Sequence, residues 1–122
     1  MLLKTHPTEK LSGSIILPAS KSYSIRAYII AACGGKSLIV NPSRCDDALV
    51  AKEVAKAFGS RIKKVSDNSW AIDAMATKHK LDELQVKESG TTLRFVLPLA
   101  AIHSDKSKIL GTGTLVGRPN TF

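Results

Sequence analysis

Apolar positions along this chain alternate between two spacings, and the alternation predicts strands and helices following one another. Ser14–Leu17 reads as a short strand, halted by Pro18, which biases Leu17 away from helical angles. Lys21–Cys33 reads as a helix with Ile25, Ile29 and Ile30 on its apolar face, closed by Gly34-Gly35, where glycine suits a left-handed C-cap. Ser37–Val40 is a strand ended by Asn41-Pro42. Asp46–Phe58 is the clearest amphipathic helix, with Ala51, Val54, Ala55 and Phe58 on one face and Gly59 as its stop. Two strands, Arg61–Val65 and Ser69–Asp73, form a hairpin through Ser66-Asp67-Asn68. Met75 to Lys80 is a polar loop and Glu83–Lys87 a strand. Gly90–His103 is a third helix whose predicted face is Leu93, Val96, Leu97, Ala100 and Ala101. Pro98 inside it should kink the axis or leave one carbonyl without its partner. Lys108–Leu110 is a last strand. The third helix and its strand resemble the first helix followed by Ser37–Val40, a hint of internal repetition. Trp70 is expected to be a partly buried packing residue, and His6, His79 and His103 to face solvent.

Length and composition narrow the class. A chain of 122 residues with 43% hydrophobic content supports one domain or part of one. No apolar run approaches the roughly 18–20 residues of a membrane span. The N-terminus shows no secretory pattern, so a cytoplasmic protein is expected. Cys33 and Cys45 make neither a disulfide framework nor a zinc pattern and read as reduced thiols. The formal charge of +8 asks for an anionic partner. Its cations are scattered, aromatics are few, and no nucleic-acid-binding motif appears, which favours small anions over nucleic acid.

The stretch from Leu17 to Ala27 concentrates the candidate chemistry. It places Lys21, three serines and Arg26 at the start of an otherwise apolar helix. A helix start offers unpaired N–H groups and a positive dipole end, so with the two cations it suits a phosphate or carboxylate. The same residues fit an N-cap serine flanked by two solvated cations equally well.

A family resemblance separates these two. Leu-Pro-Ala-Ser-Lys-Ser-Tyr-Ser-Ile-Arg-Ala, residues 17–27, resembles the N-terminal signature of the 5-enolpyruvylshikimate-3-phosphate synthases, usually Pro-Gly-Ser-Lys-Ser-x-Ser-x-Arg-Ala. Asp46-Asp47 at the second helix, Glu88-Ser89-Gly90-Thr91-Thr92-Leu93-Arg94-Phe95 and Gly111 to Pro119 resemble later blocks of that family, in the same order. The resemblance implies an α/β fold of repeated small α/β units. The chain would form part of the N-terminal domain of a two-domain enzyme, with the C-terminal domain lying outside it. It further implies transfer of the enolpyruvyl group of phosphoenolpyruvate to the 5-hydroxyl of shikimate 3-phosphate, with release of phosphate and no metal or organic cofactor. This chain by itself would be inactive.

Carried over position by position, the resemblance implies Lys21 and Asp47 in the catalytic site. Substrate contacts are expected from Lys21, Ser22, Arg26, Gly90, Arg94 and Arg118. Arg118 would grip the phosphate of phosphoenolpyruvate with its planar fork, and any side chain at Gly90 would occupy substrate space. Each position has a plainer role open to it: Asp46 and Asp47 as N-cap and first-turn carboxylates, Gly90 as a helix-start glycine, Arg94 as a surface cation. Two departures stand out. Glu88 replaces a frequent Asn and would repel phosphoenolpyruvate unless Lys87 and Arg94 hold it away, and Ala19 replaces a Gly and could crowd the same substrate.

Three other readings compete. The related transferase acting on a UDP-sugar shares the fold, but its early motif is Lys-Asn-Ala and it uses a loop cysteine not found here. A basic nucleic-acid or partner-binding module would show steep salt dependence. A folding fragment would expose an apolar face.

Overall fold

The computed structural model describes residues 2–74 and 81–119. Among these, helices α1 (Lys21–Ala32), α2 (Asp46–Ala57) and α3 (Gly90–His103) alternate with strands β1 (Gly35–Val40), β2 (Ser60–Ser66), β3 (Ser69–Ala74), β4 (Glu83–Lys87) and β5 (Lys108–Gly111). A 3-10 turn, Gly113–Leu115, follows β5. The predicted loop from 75 to 80, with His79, lies outside the described residues. Strands β1, β3 and β2 form an antiparallel sheet in that order, and β2–β3 is the predicted hairpin. Strands β4 and β5 run parallel, joined through α3 as a crossover, which parallel pairing requires.

One core joins these layers. Ile25, Tyr28 and Ile29 of α1 pack with Val50, Ala51 and Val54 of α2, over Ile39 and Ile72 of the sheet. Leu84 and Val86 of β4 and Val96 and Ala100 of α3 extend the same cluster. The predicted face of α2 is buried throughout, including Ala55 and Phe58. Trp70 is half-buried, as expected, with Lys52 Nζ 3.4 Å above its ring centre.

Several expectations need correction. Residues 14–17 form no strand: Ile15, Ile16 and Leu17 are 83%, 100% and 72% exposed. A strand exists by pairing its backbone groups, and among the described residues none pairs with these. Ile30 is exposed, because a helix turns about 100° per residue and the buried row of α1 runs through Ile25, Tyr28 and Ile29. On α3 the buried row is Thr92, Val96 and Ala100, while Leu97 and Ala101 are exposed and Leu93 is half-buried. Apolar residues nearly encircle this helix, so periodicity could not choose a face. The choice falls where a hydroxyl pair, Ser89 Oγ and Thr92 Oγ1 at 2.8 Å, is satisfied internally. His103 is half-buried, its ring edge-on to Phe58 at 5.4 Å, whereas His6 is exposed.

The caps explain where the helices start. Ser20 and Ser89 are extended N-cap residues accepting from the Tyr23 and Thr92 N–H groups, the same device at α1 and α3. Cys45, not Asp46, is the N-cap of α2, and its thiol makes no capping bond. Cys45→Ser should therefore raise stability by about 0.5–1 kcal/mol, read from a urea midpoint at unchanged slope. An unmoved midpoint would show that the preceding loop, not the cap, sets this helix end. Helix α3 runs through Pro98. Proline has no N–H for the Arg94 carbonyl, and both residues are exposed, so water can take that acceptor.

Candidate functional site

The start of α1 is anchored by Ser24, which is 5% exposed. Its hydroxyl donates to Ser20 O and accepts from the Ser43 N–H, both at 2.7 Å, tying the first turn of α1 to the loop before α2. Arg44 fastens that loop to the β2–β3 turn by donating to Asp67 O at 3.1 Å and Asn68 Oδ1 at 2.7 Å. With both ends held, the first turns of α1 and α2 face each other, and Lys21 Nζ meets Asp47 Oδ2 at 3.0 Å. The hydrogen bond and charge of Asp47 raise the Lys21 pKa above its ordinary 10.5, and the charge of Arg118 opposes the rise. Lys21 is thus a fixed cation at neutral pH, within electrostatic reach of a second one.

The other wall comes from the β4–α3 junction. The Ser89 N–H donates to Val86 O at 3.0 Å across a tight turn in which Lys87 takes φ +47°, a left-handed conformation rare for a residue with a Cβ. The turn presents Glu88 to the 3-10 turn. Glu88 Oε2 accepts from the Thr114 N–H at 3.0 Å and the Thr114 hydroxyl at 2.8 Å. Thr114 Oγ1 in turn accepts from Arg118 Nη2 at 2.9 Å. Gly113 sits at φ +56°, a left-handed conformation that favours glycine, and a Cβ there would push the Glu88 carboxylate aside. Leu115, 2% exposed, anchors the turn from below. The bonds from Thr114, then the Arg118 charge, hold the Glu88 pKa below its ordinary 4.5. A depressed carboxylate stabilises the fold above its unfolded pKa and loses that contribution as pH falls through the lower folded value. The Thr114 amide signal should accordingly stay constant at neutral pH and move only below about 4.5; movement near pH 6 would contradict the bond.

Four expected site residues thus form two pairs, Lys21 with Asp47 and Gly90 with Arg118, near enough for the Arg118 charge to bear on Lys21. A Cβ on Gly90 would sit 3.6 Å from Arg118 Nη1, so the guanidinium lies alongside that glycine. Ser22 follows Lys21 in the first turn of α1, and Arg26 lies one turn further on. Arg26 Nη1 donates to Ser22 O at 3.1 Å, and its guanidinium stands 5.4 Å from the centre of the Phe95 ring. With Tyr23 they line an open depression of about 430 Å³. Arg94 is exposed on α3, with no bond joining it to the cluster among the described residues. Glu88 is held by Thr114 and faces Arg118, not by Lys87 and Arg94 as expected. Sequence reasoning missed Thr114 and Ser24. Thr114 acts across 26 residues, which no local pattern signals, whereas Ser24 stood inside a recognised motif.

The cluster combines two oriented cations, a carboxylate beside one of them and a side-chain-free wall at Gly90. That set suits an anion with one face against backbone. Among the described residues no helix is long and apolar enough to cross a membrane.

The family profile of EPSP synthase (3-phosphoshikimate 1-carboxyvinyltransferase) matches residues 5–121. The 3-phosphoshikimate 1-carboxyvinyltransferase of Acetivibrio thermocellus is 38% identical over 122 residues, covering 98% of this chain and 28% of that protein. The enzyme of the same name from Clostridium beijerinckii is 36% identical, covering 96% of this chain and 28% of its own length. The solved EPSP synthase from Acinetobacter baumannii superposes with a TM-score of 0.70 at 21% identity, over 88% of this chain and 25% of that one, which places the fold. This chain spans little more than a quarter of the length of these relatives, and over that span it belongs to the EPSP synthase family.

Proposed function

We propose that this chain supplies one wall of the active site of an enzyme transferring the enolpyruvyl group of phosphoenolpyruvate to the 5-hydroxyl of shikimate 3-phosphate. The observation that carries this reading is the convergence of the Lys21–Asp47 pair with Arg118 and Gly90. In this reaction the enol carbon gains a proton while the 5-hydroxyl oxygen adds to the neighbouring carbon and gives up its own. The tetrahedral adduct then expels phosphate and returns a proton, restoring the double bond. Two phosphates and a carboxylate must share one pocket, so oriented positive charge is the main requirement.

The residues divide that work. Arg118 offers its fork to the phosphate of phosphoenolpyruvate alongside Gly90, whose missing side chain leaves room for the substrate. Lys21 stabilises charge at the reacting centre, with Asp47 holding it in place. Ser22 and Arg26 bind shikimate 3-phosphate at the depression on α1. Arg94 has a lesser role, in keeping with its exposure. Residues 1–122 form part of an N-terminal domain, and the proton donor and acceptor belong to a C-terminal domain outside this chain, without which it is inactive. The protein acts in the cytoplasm, in keeping with its two free cysteines. No cofactor takes part in this reading.

Phosphate release by the protein at full family length tests it. Release that needs both phosphoenolpyruvate and shikimate 3-phosphate is expected. Release that proceeds with a UDP-sugar in place of shikimate 3-phosphate would overturn the substrate assignment.

A further inference from the structure

The geometry points to Glu88 and Thr114 as positioning residues for Arg118: the Glu88 carboxylate orients the Thr114 hydroxyl, and that hydroxyl holds the guanidinium alongside Gly90, aimed at a phosphate-bearing substrate. This inference rests on the function proposed above and assigns a use to the residue that departs most from the family pattern.

A hydroxyl has one proton and two lone pairs. The Glu88 carboxylate can only accept, so the Thr114 proton is committed to Oε2, which also takes the Thr114 N–H. The hydroxyl oxygen is then left with its lone pairs, and it accepts from Arg118 Nη2 at 2.9 Å. The guanidinium can only donate, so an amide at 88 turned to donate would leave the hydroxyl proton without an acceptor. A carboxylate removes that choice. With one of the two N–H groups on Nη2 spent on Thr114, Nη1 is the edge beside Gly90.

The backbone is built around this relay. Lys87 and Gly113, on either side of the Glu88–Thr114 contact, both have positive φ, at +47° and +56°. For Lys87, which carries a Cβ, such a conformation persists where surrounding contacts over-determine it. The Thr112 N–H, donating to Lys87 O at 2.8 Å, ties the two turns together by backbone as well. A purely structural staple between the turns would already be provided by this bond and by buried Leu115. What Glu88 and Thr114 add is the fixed direction of Arg118.

The test compares Thr114→Val, Thr114→Ser and Glu88→Gln in the protein at full family length. Thr114→Val keeps the shape and loses the hydroxyl, and it should raise KM for phosphoenolpyruvate about tenfold. KM for shikimate 3-phosphate should stay within about twofold. Thr114→Ser should restore the wild-type value, and Glu88→Gln should fall between the two. A Thr114→Val enzyme with unchanged KM for phosphoenolpyruvate, or with both KM values raised alike, would overturn the positioning role. NMR of the Arg118 side-chain N–H groups separates this from failure of the functional reading. Restricted guanidinium signals in the wild type that become averaged in Thr114→Val, with inorganic phosphate as the probe anion, support the relay even if no enolpyruvyl transfer is found. Identical signals in both proteins overturn it.

Discussion

Lys21→Ala in the protein at full family length is expected to lower kcat/KM for enolpyruvyl transfer by roughly 10²–10³, the usual loss on removing one preorganised donor from a developing charge. The expectation follows from where the ammonium is held. Asp47 fixes it at 3.0 Å, and the loop leading into α2, whose first turn carries Asp47, is itself fastened by Ser43, Arg44 and the β2–β3 turn. Lys21 is therefore held by Asp47 with no ligand present, so in the proposed reaction it would not need to reorganise as charge builds up. Folding should be unaffected, because the ammonium end of the pair is solvent-exposed and such pairs contribute little. Asp47→Asn should also cost activity, but less, since the ammonium remains and only its restraint is lost. Near-normal turnover of Lys21→Ala would remove this residue from the chemistry.

The largest structural effect is expected from Phe58→Ala, at about 3–5 kcal/mol. Phe58 is the C-cap residue of α2, 4% exposed, and its ring stands edge-on to His103 in the last turn of α3. Its removal leaves a cavity between the C-terminal ends of two helices whose N-terminal ends carry Asp47 and Gly90. Denaturant unfolding should show the midpoint falling sharply. A His103→Ala change in the same background should add less than it does alone, since the ring pair is already broken. A loss under about 1 kcal/mol for Phe58→Ala would mean that the helices close over the gap and that this contact does not set their spacing.

How much of this was legible in the sequence depended on whether a signal was local. Helix α2 was plain, because Ala51, Val54, Ala55 and Phe58 repeat at helical spacing with polar residues between them. Strand β4 and helix α3 matched their expected limits, since Ser89 and the switch of period mark the boundary. The buried face of α3 was not legible: Leu93, Val96, Leu97 and Ala100 are all apolar, and a buried hydroxyl pair decided among them. The apolar run at residues 14–17 looked like a strand, but pairing is a property of neighbours in space, not of the run itself.

The site divides in the same way. Lys21, Asp47, Gly90 and Arg118 were singled out through motif resemblance, and the fold brings them together from four separate segments. Composition offered only an excess of positive charge and could not say where it gathers. Glu88 was singled out as a departure, yet its bonds to Thr114 lie 26 residues away in sequence, where no spacing rule reaches. Ser24 shows the opposite case. It sits within the motif, but its use as a strut between α1 and the loop before α2 needed coordinates.

On the proposed reading, the first turn of α1 forms part of a substrate site with Asp47, Gly90 and Arg118. Titration of shikimate 3-phosphate into the protein at full family length, followed by the amide signals of Ser20 to Arg26, tests it most directly. Saturable shifts in that turn are predicted, extending to Gly90 and Arg118 when phosphoenolpyruvate is added, and lost in Lys21→Ala. A folded protein that turns over substrate while these amides stay still would contradict the account.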